Sequence, residues 1–181
     1  LLFRTDEEAK DARCIAGYLQ TVHGFTDVIV TEPTGCRAVL AHRGITSAQV
    51  GFTGTSGHAS KLADPMQSAV HQALRWGGAA LDYAAKHSHE RFGGLTGMPF
   101  NVGKMQGGIK ANMIAAEAGL RIGFRPLPTQ SLPELHAGFA TLLPGTAVDY
   151  QVTFAGSALP AGDTATAESR RLQARDFAEG L

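Results

Sequence analysis

The order of hydrophobic periodicities predicts an α/β chain built around one complete β-α-β-β-α-β unit. Two further observations organise it. The 22 glycines cluster at 51–57, 93–97 and 103–108, where turns between strands would fall. The pieces at either end are helix- or strand-like, but each looks cut from another domain. A unit in that order folds as a four-stranded antiparallel sheet with both helices on one face, the ferredoxin-like arrangement. The expected domains are therefore 1–36 as part of one α/β domain, 37–157 as a complete domain inserted in it, and 158–181 as a truncated return.

Each element has its own signal. Thr5 followed by Glu8 fits a capping box, and Ile15, Tyr18 and Leu19 carry a helical stripe as far as Thr21. Val28-Ile29-Val30 reads as a short buried strand stopped by Glu32-Pro33. Alternation through Ile45, Ala48, Val50 and Phe52 predicts a long strand over 39–53 with a bend at Gly44. Asp64-Pro65 opens the longest helix, whose wide apolar face runs from Ala69 through Trp76 to Ala84 and ends near His87. Strands follow over 98–105 and 118–124, a helix over 132–142 and a strand over 148–154. Beyond a linker at 157–162, a charged helix over 164–181 carries Ala167, Leu172, Ala174 and Phe177 as its apolar positions.

Composition excludes several classes. With 181 residues, 44% of them hydrophobic, the chain can fill one sizeable core. Sixteen basic and sixteen acidic residues cancel, leaving no field to gather phosphates or anionic lipid, so neither nucleic acid nor membrane is expected as a partner. No apolar run is long enough for a membrane helix, and Arg4, Asp6, Glu7 and Glu8 fall where a signal peptide would be apolar. A cytoplasmic chain is expected. Cys14 and Cys36 lack CxxC spacing and read as buried thiols of a reducing compartment.

Several residues could carry chemistry, and each has a plainer reading. Glu7 and Glu8 follow an apolar run; one could bind a cation while the other reaches water, as metal-assisted hydrolysis requires, or both could merely complement a helix dipole. Glu32 follows a buried strand, where sites of open α/β sheets lie and where solvated carboxylates are also common. His58, on the glycine-rich turn 54–60, could donate to a developing oxyanion, or be one more loop histidine. Asn112 and Arg125 lie beside strands of one sheet and could grip a carboxylate, or be a turn amide and a surface guanidinium. Gly103-Lys104 is not a phosphate loop, because Met98 and Met105 occupy its essential glycine and hydroxyl positions. His87 and His89 complement a helix C-terminus more simply than they bind metal.

Taken in order, Thr5-Asp6-Glu7-Glu8, Val30-Thr31-Glu32-Pro33-Thr34, His42-Arg43-Gly44, Gly57-His58-Ala59-Ser60, Gly108-Ile109-Lys110-Ala111-Asn112 and Phe124-Arg125 resemble the acetylornithine deacetylase branch of the dizinc amidohydrolases. That family includes succinyl-diaminopimelate desuccinylase, aminoacylase and carboxypeptidase G. Phe92-Gly93-Gly94-Leu95-Thr96-Gly97 and the run 109–114 look particularly like the N-acetylcitrulline deacetylase variant. The resemblance implies a partial zinc-hydrolase domain over 1–36 and 158–181, with a lid and dimerisation domain over 37–157. It implies Glu7 as general base, Glu8 and Glu32 as ligands of two zinc ions that cobalt could replace, and His58 reaching the partner subunit's site in a homodimer to stabilise the oxyanion. Asn112 and Arg125 would hold the substrate carboxylate together.

The sequence departs from the family pattern in lacking a His-x-Asp motif, a bridging Asp ahead of Glu7-Glu8 and a late His. The chain is therefore expected to hold the lid and part of a longer enzyme, and to be inactive alone. The function implied is zinc-dependent removal of acetyl from N-acetyl-L-citrulline or N-acetyl-L-ornithine in arginine biosynthesis. Two alternatives stand beside it: a non-catalytic dimerising lid module, and a desuccinylase, aminoacylase or carboxypeptidase acting on another acylated substrate.

Overall fold

The computed structural model describes residues 13–25, 28–35 and 37–180. Its contacts divide the chain into a short unit ending at Arg37 and a larger one beginning at Ala38. In the short unit, helix α1 spans Arg13–Thr21, and the proposed Thr5/Glu8 capping box lies outside the described residues. In the larger unit, strand β1 spans Ile45–Thr53 and β2 Gly57–His58. Helix α2 covers Ala69–Lys86, followed by β3 at Arg91–Phe92, β4 at Leu95–Thr96 and β5 at Phe100–Gly107. Then come β6 at Met113–Ile114, β7 at Glu117–Phe124, α3 at Leu132–Ala140, β8 at Val148–Gly156 and α4 at Thr164–Glu179.

The four long strands form one antiparallel sheet in the order β5-β7-β1-β8. This is the expected ferredoxin-like topology. Ala48, Val50 and Phe52 of β1 and Leu120, Ile122 and Phe124 of β7 point to one face and are buried there with Ala69, Ala73, Trp76 and Ala80 of α2 and Leu135 and Phe139 of α3. Trp76 is fully buried yet satisfied, its indole N–H donating to Phe139 O at 3.1 Å. Phe139 packs its ring 4.8–5.2 Å from those of Tyr83, Phe124 and Phe100, so α3 is locked to both α2 and the sheet.

Three expectations need correction. Val28, Ile29 and Val30 form no strand and are 73%, 62% and 74% exposed; a strand exists only where a neighbour accepts its hydrogen bonds, and no described residue does so here. The long strand begins at Ile45 rather than at 39. At Gly44 a β-carbon would collide with the carbonyl of Gly156 and the ring of Pro126, and upstream, among the described residues, only His42 is bridged, to Leu159. Asp64-Pro65 does not start α2 but caps a separate single turn, Pro65–Gln67, in a capping box with Gln67, and α2 begins after Ser68. Helix α4 packs within the larger unit: its Ala167 is fully buried with Phe92 and Leu127 in a second, smaller cluster.

One polar chain crosses the edge of the main core. Thr46 Oγ1 donates its one proton to Phe154 O (2.8 Å), so it must accept from His136 Nε2 at 3.0 Å. Nδ1 of His136 then accepts from the Tyr150 hydroxyl at 2.7 Å. Burial holds the His136 pKa below its ordinary value and raises that of Tyr150. Because the folded His136 resists protonation, its contribution to stability is complete above its unfolded pKa of about 6.5 and is lost as pH falls through the lower folded value. The melting temperature should drop more between about pH 7.5 and 5.5 for the native protein than for His136→Gln, which cannot titrate. Equal drops would show that His136 is not responsible.

Candidate functional site

The candidate residues of the larger unit are placed by how β7 is entered and left. Before it, the chain turns tightly: Gly108 has φ +72°, and Met113 N bonds Lys110 O at 3.1 Å. Strand β6 then pairs antiparallel with β2, setting His58 opposite Met113, and Ala59 N donates to Asn112 O at 2.9 Å. His58 and Asn112 are therefore neighbours, 54 sequence positions apart, both exposed.

Three backbone bonds anchor this pair to the core. Gly54 N bonds Ala116 O (2.7 Å), Thr55 N bonds Gln67 O (2.7 Å), and Ala69 N, in the first turn of α2, bonds Ala115 O (2.9 Å). Gly54 is required there, because a β-carbon would collide with the backbones of Gln67, Ala115 and Ala69. The buried Gln72 side chain adds two bonds, to Thr53 O at 2.9 Å and Met66 O at 2.7 Å. The loop that carries His58 is thus tied down at its root while its tip remains open.

His58 itself is oriented locally. Its Nδ1 receives the Ser60 backbone N–H at 3.3 Å and lies 2.8 Å from Ser60 Oγ, capping the single turn 59–61. An amide N–H can only donate, so Nδ1 is the acceptor and Nε2 carries the proton. The ring presents an N–H donor away from the loop.

Arg125 stands elsewhere. It follows β7 at the far end, where Phe124 pairs with both Thr46 and Phe100 and where Arg125 N bonds Pro99 O at 2.9 Å. Eight residues of strand at about 3.4 Å each separate the ends of β7 by roughly 24 Å. Asn112 and Arg125 of one chain therefore stand at opposite ends of β7 and do not meet within it. The Arg125 end is also where the chain enters and leaves the sheet: Ile45 pairs with Gly156, Gly44 N bonds Pro126 O (2.9 Å), and His42 and Leu159 bridge the incoming and outgoing chain. Arg43 fastens this end by donating to the carbonyls of Thr96 and Gly97.

In the short unit Glu32 is exposed, its carbonyl accepting from Thr34 N at 2.7 Å. Glu7 and Glu8 lie outside the described residues. Among the described residues no group of three or more His, Cys, Asp or Glu could hold a metal ion. Ser60 and Gly54 are the residues whose roles the sequence did not declare; a Ser two positions after the candidate His was the available signal. No helix among the described residues is long and apolar enough to cross a membrane.

Comparison with known proteins agrees with this architecture. Residues 40–151 match the peptidase dimerisation domain of the M20 group. Over 180 residues the chain is 54% identical to the N-acetyl-L-citrulline deacetylase of Xanthomonas campestris pv. campestris, covering 99% of this chain and 49% of that protein. The acetylornithine deacetylase of Yersinia pestis is 31% identical over 140 residues, which are 75% of this chain and 36% of that one. The chain thus spans about half, or less, of the curated relatives it matches. An amidase of the hydantoinase/carbamoylase family from Burkholderia phymatum shares the fold at a TM-score of 0.55 and 15% identity, over 78% of this chain and 34% of that chain. With that match over residues 40–151 and its ferredoxin-like sheet, the chain belongs to the M20 peptidase dimerisation domain family.

Proposed function

We propose that this chain is the lid and part of the catalytic domain of a zinc-dependent hydrolase that removes the acetyl group from N-acetyl-L-citrulline or N-acetyl-L-ornithine in arginine biosynthesis. The observation that carries the proposal is the separation of His58 and Asn112 from Arg125 along β7, in a chain 54% identical to an N-acetyl-L-citrulline deacetylase. Arg125 lies at the tethered end of the lid and serves its own chain's site. His58 and Asn112 lie roughly 24 Å further on, at the free end, and serve the site of a second copy.

A homodimer is therefore part of the proposal. On α2, Leu74, Gly78, Leu81 and Ala85 form an exposed small-and-apolar stripe, with Leu74 and Leu81 57% and 56% exposed, and β5 is an open sheet edge. Together they offer a self-complementary patch about a two-fold axis. The chemistry divides among the chain's own residues. Glu7 takes the proton of the attacking water and passes it to the departing amine. The partner subunit's His58 offers its Nε2–H to the oxyanion of the tetrahedral intermediate. Arg125 holds the free carboxylate in a bidentate pair, with the partner subunit's Asn112 completing the enclosure.

Glu8 and Glu32 would contribute two carboxylate ligands to the zinc ions, a donor type that suits the metal, with the remaining ligands supplied by residues outside this chain. Zinc bound there would polarise the acyl carbonyl and make water a competent nucleophile near neutral pH. Localisation in the cytoplasm fits a biosynthetic enzyme of this kind.

In the full-length enzyme His58→Ala should lower kcat by about 100-fold or more with zinc content unchanged, as loss of an oxyanion donor does. An unaltered kcat would return His58 to a capping role. Arg125→Lys keeps the charge but loses the planar fork, and should cost about 1.5–3 kcal/mol in kcat/KM for the acid substrate. The control is the corresponding neutral amide; an equal loss on both substrates would make Arg125 structural. Leu81→Glu should convert the dimer to a monomer by light scattering, and a variant that remains dimeric would exclude the α2 stripe from the interface.

A further inference from the structure

We propose that Ser60 is a positioning residue that fixes the tautomer of His58, so that the ring always meets its ligand as an Nε2–H donor. This rests on the reading of His58 as the oxyanion donor given above. A neutral imidazole has one N–H and one lone pair, and free in solution it exchanges between two tautomers. Only one of them offers a proton from Nε2. In the other, the outward nitrogen presents a lone pair to the oxyanion and repels it.

Ser60 settles the choice with two groups on one residue. Its backbone N–H reaches Nδ1 at 3.3 Å and its hydroxyl at 2.8 Å. The backbone contact is long and so weak on its own; the hydroxyl contact is at the optimum for a hydrogen bond. With the amide proton already aimed at Nδ1, the ring nitrogen can only accept, and the hydroxyl donates to it as well. A hydroxyl can donate or accept, so it is the amide that selects the tautomer and the hydroxyl that holds the ring against the amide; removing the hydroxyl leaves an exposed ring on one long contact, free to turn away from it.

The loop geometry makes this arrangement persistent. His58 is held in β2 by its pairing with Met113, and Ala59 N is held by Asn112 O, so the backbone that presents both the ring and the Ser60 amide is fixed at two points. The ring is exposed, and Ser60 makes the side-chain hydrogen bond to it among the described residues. Ser60 does not touch the reacting atoms, which distinguishes it from His58.

The experiment uses the full-length enzyme with 15N-labelled histidine, the His58 signals being assigned by their loss in His58→Gln. In the native enzyme Nδ1 should resonate as a lone-pair-bearing nitrogen and Nε2 as a protonated one. In Ser60→Ala the two should move toward a common averaged position, kcat should fall about tenfold, the worth of one hydrogen bond, and KM should stay the same. Ser60→Thr, which keeps the hydroxyl, should restore both. Unchanged 15N positions in Ser60→Ala would overturn the proposal even where His58→Ala remains crippled. Averaged positions in Ser60→Ala with an unchanged kcat, while His58→Ala loses activity, would overturn it too. Averaged positions with neither variant losing activity would leave the tautomer lock standing and remove the catalytic reading of His58.

Discussion

The length and direction of one strand, β7, decide where the candidate residues His58, Asn112 and Arg125 can stand. It runs through the sheet between β5 and β1, carrying the Asn112 turn at its start and Arg125 at its finish. Its even positions, Leu120, Ile122 and Phe124, are buried in the core, so a slip of one residue would turn all three outward. The register that holds the core together therefore also fixes the distance between the two halves of the proposed binding apparatus. A single chain cannot fold that distance away.

Packing and assembly follow from the same sheet. The helices cover one face, where Trp76 and Phe139 knit α2 to α3, and the order β5-β7-β1-β8 leaves β5 and β8 as edges. Helix α2, which exposes Leu74 and Leu81, packs across β5, β7 and β1, whereas β8 pairs with β1 up to the point where the chain leaves the sheet. The edge beside the helical stripe is thus the one suited to a second copy. In the proposed dimer, the end of the sheet that carries His58 and Asn112 is the one that reaches the second copy's site.

Much of this was legible in the sequence because period-2 and period-3.6 patterns survive wherever a segment has one buried face. Strands β5, β7 and β8 and helices α3 and α4 were foreseen to within a few residues, and β1 and α2 were foreseen with their starts placed too early, since each packs against something within the chain. Val28-Ile29-Val30 was misread for the complementary reason: an apolar run predicts burial, but burial needs a partner, and none is present among the described residues. Strands β2 and β6 were invisible because two-residue strands carry no periodicity, and they are what make His58 and Asn112 neighbours. The separation of Asn112 from Arg125 within one chain was also hidden, because thirteen residues of sequence look close while the eight-residue strand between them is fully extended. The plainer reading of His87 gains support, since its ring pairs with Glu90 at the end of α2.

The central claim is that the two ends of β7 serve different active sites of one dimer. It is tested by mixing two inactive full-length enzymes, one His58→Ala and the other Glu7→Gln, under conditions that exchange subunits. If His58 acts across the dimer, the mixed dimer contains one site with both Glu7 and the partner subunit's His58 intact, and random reassortment should restore about a quarter of native activity. If His58 acts on its own chain's site, every site in the mixture lacks one residue, and activity no greater than that of the separate variants would contradict the account.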